Sequence, residues 1–412
     1  MNEATLNYVR QHADDDVRKL ALQGVKDTDV DLTQALQQIA GRQTARRKLP
    51  SWAAVDGIIY PPHLNMEQCS SEQTARYKAK IVNGKSVNGK LVNGKSVNGK
   101  FTDLTGGFGV DFYWISQGFQ HRYYIEQNEQ LCTISSKNFR LLGLACKVCC
   151  CDTTTYLNTM PHVDLIYLDP ARRNEHGGRT YSIEDCTPNV IELLPLLMEK
   201  ANRVMLKLSP MLDWRKAADD LKYVREVHIV SVDNECKELL LLLDKEATED
   251  LRVVCVNDDK SFEFFPSRGK TFSLTEQNGL SLAEKRPFSE RETAFLYEPN
   301  ASIMKAGCFK ELAERFSVHQ ISANSHLFLS PVEIDDFPGR GFQISSISSM
   351  NKQELRTALK DTNRANISVR NFPLTPDQLR KKMKLKDGGD VYIFATTTSD
   401  GAHRLYICRK IG

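Results

Sequence analysis

Phe101-Thr102-Asp103-Leu104-Thr105-Gly106-Gly107-Phe108-Gly109-Val110-Asp111 is the stretch on which the fold turns. A short apolar run leads into a turn holding three glycines, and a helical pattern follows. The order predicts strand, tight turn and helix, the opening of a doubly wound α/β sheet. Glycine permits the sharp turn and lets a ligand approach the backbone closely. The spacing is not the Gly-x-Gly-x-x-Gly of dinucleotide binders, and Asp103 at the strand end would repel a pyrophosphate. A carboxylate there suits a cationic ligand, for instance the ammonium group of a sulfonium-bearing amino acid.

Outward from this turn, Phe101–Leu104, Tyr123–Glu126, Lys147–Cys151, Leu165–Asp169, Val204–Leu208, Val227–Val232 and Leu239–Asp244 read as seven strands. Helical patterns fit between the first five strands and again before Val227, so the sheet is expected to be mostly parallel. The last two strands are joined by a link too short for a helix, which predicts an antiparallel final strand. The expected fold is α/β, a Rossmann-like seven-stranded doubly wound sheet. Three successive strands end in acids: Asp103, Glu126 and Asp152. In open α/β folds ligands bind at that edge, with a carboxylate on ribose hydroxyls about where Glu126 falls. Asp152 is placed to accept from an adenine amine. With Thr105, Gly106, Gly107 and Gly109 they form the expected cofactor-binding set. For any single acid, a helix cap at the surface is the competing reading.

The fourth strand continues as Leu165-Ile166-Tyr167-Leu168-Asp169-Pro170-Ala171-Arg172-Arg173. With the glycine turn, this resembles the class I S-adenosylmethionine-dependent methyltransferases. In these an Asp/Asn-Pro segment after the fourth strand lines the reaction centre. More narrowly, the chain is similar to bacterial methyltransferases with a THUMP-like C-terminal domain. The segment Glu67-Gln68-Cys69-Ser70-Ser71-Glu72-Gln73-Thr74-Ala75-Arg76-Tyr77-Lys78 looks like the lead-in helix of that group. The resemblance implies S-adenosyl-L-methionine as cofactor and Asp169 and Pro170 at the reaction centre. By analogy it also implies RNA (tRNA or rRNA) as substrate, methylated at a base nitrogen. One departure bears on the acceptor: amino-group methyltransferases follow Asp/Asn-Pro-Pro with an aromatic ring, whereas here Ala171 and Arg172 follow. Arg172 and Arg173 are placed to clamp a phosphate or stack on a base, or else to pair with nearby acids. A second pattern resembles the ribose 2′-hydroxyl methyltransferases. Asp169, Lys207 and Glu238 would be their Asp, second Lys and Glu, and Lys78 their first Lys, although those enzymes usually lack Pro after the Asp. The rival from another class is a cofactor-binding RNA protein without turnover.

The flanks complete the organisation. Residues 1–66 show helical periodicity, with Asp31 expected to cap a helix that ends in the basic run Arg42, Arg46, Arg47 and Lys48. The methyltransferase domain is expected over 67–248. Within it, residues 81–100 repeat the unit x-Val-Asn-Gly-Lys four times, which reads as a flexible basic insertion. An α+β, THUMP-like tail is expected over 249–412, with a hairpin around Asn257-Asp258-Asp259 and a βαββ run near its end. Eleven cysteines without metal-site or secreted spacing predict reduced, buried thiols, no metal and a cytoplasmic protein. A net charge of +3 confines any nucleic-acid contact to a local basic surface. No apolar run reaches membrane-spanning length.

Overall fold

The computed structural model describes residues 1–83, 97–172, 183–246, 250–266 and 294–411. Two compact units divide the chain: Met1–Arg225 with Leu240–Thr248, and Glu226–Leu239 with Glu249–Gly412.

The first unit opens with α1 (Glu3–Gln11), α2 (Val17–Gln23) and α3 (Leu32–Lys48). Asn2, Asp16 and Asp31 cap them, each side chain accepting from backbone N–H groups of the first turn. Val9, Leu20, Ala35 and Ile39 close a small core. The short helices α4 (Pro50–Ala53) and α5 (His63–Gln68) follow, then α6 (Glu72–Asn83). The lead-in helix expected over Glu67–Lys78 is therefore two helices, broken at Cys69-Ser70-Ser71, where serines favour turn over helix. Side-chain amides fasten the segment Ile59–Tyr60 to helices on either side, Asn138 belonging to the helix Glu129–Leu141 and Gln38 to α3. Asn138 accepts from the Ile59 N–H (2.9 Å) and donates to the Ile59 carbonyl (2.8 Å). Gln38 does the same for Tyr60, at 2.8 Å each way. Most of the repeat tract lies outside the described residues, but its ends belong to regular structure, in α6 and in the first strand.

The central sheet is built from β1 (Val97–Asp103), β2 (Phe119–Glu126), β3 (Lys147–Cys150), β4 (Val163–Leu168), β5 (Ala201–Leu208), β6 (Val224–Val232) and β7 (Glu235–Asp244). These are the seven strands expected from sequence. α7 (Val110–Ser116), α8 (Glu129–Leu141), α9 (Thr153–Thr159), α10 (Val190–Lys200) and α11 (Trp214–Asp220) connect them. Two further strands join, β8 (Arg252–Asn257) and β9 (Lys260–Phe264), giving the order β9-β8-β6-β7-β5-β4-β1-β2-β3. The pairs β1·β2, β1·β4, β2·β3 and β4·β5 are parallel. Asp233 and Asn234 both have positive φ, the two-residue turn of an antiparallel hairpin, so β6 and β7 run oppositely. The sheet thus has nine strands where seven were expected. The hairpin β8–β9, expected with the tail, extends it, with β8 parallel to β6. Its sequence carries the reason: Val253, Val254, Cys255 and Val256 are all buried, and a strand apolar on both faces belongs inside a sheet.

The rest of the second unit is a seven-stranded sheet of β10 (Phe295–Pro299), β11 (His319–Gln320), β12 (Phe328–Ser330), β13 (Gly339–Ser348), β14 (Asn366–Arg370), β15 (Val391–Thr397) and β16 (His403–Lys410). Its order is β11-β12-β10-β13-β16-β15-β14. α12 (Ala301–Ala306), α13 (Phe309–Phe316), α14 (Lys352–Ala358) and α15 (Pro376–Met383) accompany it. The βαββ run is present: β14 and β15 are parallel across α15, and β16 returns antiparallel to β15.

Candidate functional site

The C-terminal ends of β1, β2 and β4 carry the predicted residues to one edge of the sheet. At the end of β1, Asp103 is almost wholly buried. Its Oδ1 accepts from the Thr105 N–H at 2.9 Å, while its Oδ2 is buried without a hydrogen-bond partner. Burial, and then the carboxylates of Asp111, Asp169 and Glu126, push its carboxyl well above the ordinary range. The turn that follows has no room for a side chain at Gly106, where a Cβ would stand 2.2 Å from the Tyr124 ring. Gly107 differs: it has φ +55 and faces open space, with nothing nearer its absent Cβ than the Thr105 carbonyl at 3.9 Å. Gly109, at φ +86, precedes α7, and a Cβ there would meet the Phe139 ring at 2.5 Å.

Glu126, at the end of β2, braces this turn. One carboxylate oxygen accepts from the Gly107 N–H (2.8 Å) and the other from the Asn128 N–H (2.8 Å). Asp152 stands in an exposed position beyond the end of β3 and caps α9, accepting from the Thr155 N–H at 2.9 Å. The capping reading therefore describes one of its oxygens.

Past β4, Asp169 is ion-paired with Lys207 of β5. The register supports the pairing, since Tyr167 faces Met205 and Leu168 faces Leu206. The Asp169 N–H donates to Thr105 Oγ1 at 2.7 Å, joining this strand end to the glycine turn. Asp169 keeps 34% of its side-chain surface and Lys207 15%. Burial raises the Asp169 carboxyl and Lys207 opposes the rise, with a net shift upward. Pro170 is buried. Ala171–Arg172 pairs as a two-residue ribbon with Cys186–Thr187. Arg173 lies outside the described residues.

Beneath this pair lies a group that sequence reasoning did not assemble. Lys78 of α6 is completely buried and ion-paired with Asp111 in the first turn of α7 at 3.1 Å. Asp111 also accepts from Ser70 Oγ (2.7 Å) and from the Tyr167 hydroxyl (2.8 Å). The sequence had singled out Lys78, as a possible catalytic lysine, but not its partner Asp111, which follows the glycine turn. Glu238 is buried in the part of β7 that belongs to the second unit.

The tail matches two families. Residues 295–338 match a ferredoxin-like domain, and residues 339–410 match the THUMP domain-like family. A crystal structure of a putative methyltransferase from Porphyromonas gingivalis W83 is 29% identical, with a TM-score of 0.82, covering 99% of this chain and 98% of that one. Two curated relatives from Mycobacterium tuberculosis, strains CDC 1551 and H37Rv, are called uncharacterized S-adenosylmethionine-dependent methyltransferases. Each is 23% identical over 283 residues, 66% of this chain and 71% of the relative. This chain is a class I S-adenosylmethionine-dependent methyltransferase with a THUMP-like domain. The fit of the methyltransferase to its cofactor is visible in its own residues. Asp103 presents a buried, unpartnered carboxylate oxygen, and Gly107 an open face beside it.

The cysteines of the methyltransferase depart from expectation. Cys146, Cys149 and Cys151 are partly exposed and Cys150 is exposed. β3 is the edge strand of the sheet, so its side chains lack a covering neighbour on one flank. Among the described residues, no group of His, Cys, Asp and Glu is placed to hold a metal, and no helix is long and apolar enough to cross a membrane.

Proposed function

We propose that this methyltransferase methylates an RNA nucleotide, in tRNA or rRNA, with Asp169 and Lys207 at the acceptor. The Lys207–Asp169 ion pair carries this reading: a carboxylate held by an ammonium group, beside the turn where Asp103 presents its unpartnered Oδ2. The THUMP-like match of residues 339–410 supports RNA as the substrate.

S-adenosylmethionine, when bound, supplies an electrophilic methyl group. The residues of the chain do the rest. Asp103 holds the amino-acid ammonium, Glu126 the ribose hydroxyls and Asp152 the adenine amine, while Gly107 leaves the backbone open to close approach. Pro170 fixes the backbone after Asp169 and so aims its carboxylate. Asp169 takes up the acceptor's proton as the acceptor attacks, and Lys207 orients that carboxylate. Arg172 and Arg173 contact phosphate or base.

Two acceptors compete. A ribose hydroxyl must lose its proton as it attacks, and the Asp169–Lys207 pair favours that chemistry. A base nitrogen is favoured by the Asp169-Pro170 sequence alone, since no aromatic ring follows it. Nucleoside mass spectrometry of RNA from a strain lacking the gene is expected to show one methylated nucleoside lost, and its identity names the acceptor. An unchanged nucleoside profile, with labelled methyl entering only protein or small molecules, overturns the RNA reading. On the nucleoside so identified, Asp169→Ala should reduce turnover on the order of 100-fold or more. An equal loss in Lys207→Ala accompanies a hydroxyl acceptor, and near-normal turnover accompanies a base nitrogen.

A further inference from the structure

Two carboxylates near the reaction centre have opposite surroundings. Asp111 Oδ2 accepts from Ser70 Oγ at 2.7 Å and from the Tyr167 hydroxyl at 2.8 Å, and Lys78 Nζ stands 3.1 Å from its Oδ1 as an ion pair outside hydrogen-bond geometry. Lys78 Nζ is itself 3.1 Å from Ser70 Oγ, so lysine, serine and aspartate form one buried knot. Tyr167 stands on β4 two residues before Asp169, which directly follows the strand, and so joins that knot to the strand end that carries Asp169. Asp169 is ion-paired with Lys207 and keeps a third of its surface. Pairs of carboxylates pushed apart in this way divide labour: one stays charged, and the other moves a proton.

We propose that Asp111 is a positioning residue for methyl transfer: a buried carboxylate, held by Lys78, Ser70 and Tyr167, whose charge sets how readily Asp169 takes up a proton. Lys78 is then the buried counter-ion of Asp111 and not a lysine that meets substrate, since none of its surface is exposed. The electrostatics agree in direction. Burial works against the Asp111 charge, yet Lys78, Lys207, Ser70 and Tyr167 together hold it below the ordinary carboxylate range. Asp169 lies above that range, because of burial first and the like charge of Asp111 second, against Lys207 and Lys78. Asp103 and Asp169 also lie in each other's field, and the Cys69 thiol, pushed up to about 11 chiefly by burial, lies in the field of Asp111 and Lys207. Removing the Asp111 charge leaves Lys207 and Lys78 facing Asp169 with less opposition, so Asp169 becomes a weaker base.

The inference rests on the reading that Asp169 takes the acceptor's proton, but its test needs no substrate. The full-length protein, labelled with [γ-13C]aspartate, is titrated by NMR, and the Asp169 signal is identified by its loss in Asp169→Asn. In Asp111→Asn the Asp169 midpoint is expected to move down by at least half a pH unit. Should that variant fold poorly, Lys78→Met/Asp111→Asn removes both buried charges and is expected to shift the midpoint in the same direction by less. A midpoint unmoved in the folded variant overturns the proposal. Methyl transfer into RNA from the deletion strain separates the two readings. If Asp169→Asn keeps wild-type transfer, the reaction-centre reading fails whatever the titration shows. If Asp169→Asn is inactive and Asp111→Asn shows wild-type turnover with an unshifted acid limb, only the role of Asp111 fails.

Discussion

Burial and three neighbouring carboxylates raise the Asp103 carboxyl because its Oδ2 lies in the protein without a donor. A bound ammonium group supplies the missing partner and favours the charged form. Cation binding must then expel a proton from any Asp103 that holds one. Below the raised midpoint, S-adenosylmethionine affinity should therefore weaken as pH falls, by about tenfold per pH unit for one linked proton. Above it the affinity should level off. Calorimetry across this range tests the sign, and an affinity flat in pH for the wild-type protein would contradict the assignment. Asp103→Asn should bind more weakly and lose the dependence. Glu126 gives a different residue-scale prediction. Both of its oxygens accept from backbone N–H groups, of Gly107 and Asn128. In Glu126→Gln one acceptor becomes an NH2 group facing a donor. The conservative amide should thus be nearly as harmful as Glu126→Ala, with cofactor binding weakened on the order of 1.5–3 kcal/mol in both. Wild-type affinity in the glutamine variant would sink this account.

At the scale of elements, the strand–turn–helix unit around Gly106 is the proposed seat of the cofactor. The Gly106 N–H donates to the Ile125 carbonyl at 2.8 Å, and the Tyr124 ring occupies the space of a side chain. Tyr124 is fully buried, its ring packed edge-on against Phe112 and Phe139. Gly106→Ala should therefore destabilise the fold by roughly 1–3 kcal/mol through overpacking, and weaken cofactor binding by displacing the turn. A thermal midpoint equal to wild type would refute it. This unit was legible in the sequence because each part is local: apolar run, glycines, then helical period. The seven strands were legible for the same reason. The place of β8 and β9 was not, because a hairpin announces its own turn but not the sheet it joins. Nor was the bond between Lys78 and Asp111, which are 33 residues apart on different helices. The exposure of Cys150 escaped because apolar runs look alike on edge and central strands. For Asp152 the sequence showed an acid at the right strand end, and the structure shows it capping α9.

At the scale of the whole molecule, a net charge of +3 confines any RNA contact to a local surface and not to the overall field. In the THUMP-like region, α15 ends in Arg380, Lys381 and Lys382. Arg380 is engaged by Asp377 and Asp387, both at 2.6 Å, so its charge is largely answered within the protein. Lys381 and Lys382 are exposed, as are Arg409 and Lys410 on β16. If the exposed lysines of α15 meet RNA, binding should weaken with added salt, because each neutralised phosphate releases counterions. Lys381→Glu/Lys382→Glu should lower RNA affinity at every salt concentration. It should also reduce the slope of log affinity against log salt by about 1.5, as expected if both lysines contact phosphate. Cofactor affinity should stay unchanged, since the cofactor residues belong to the other unit. Fluorescence anisotropy with labelled tRNA, repeated at several salt concentrations, measures affinity and slope together. A double variant with the wild-type slope would remove α15 from the RNA surface. A slope near zero in the wild-type protein would show that phosphate contacts do not hold the RNA, and would take away the electrostatic basis for docking it on the THUMP-like region.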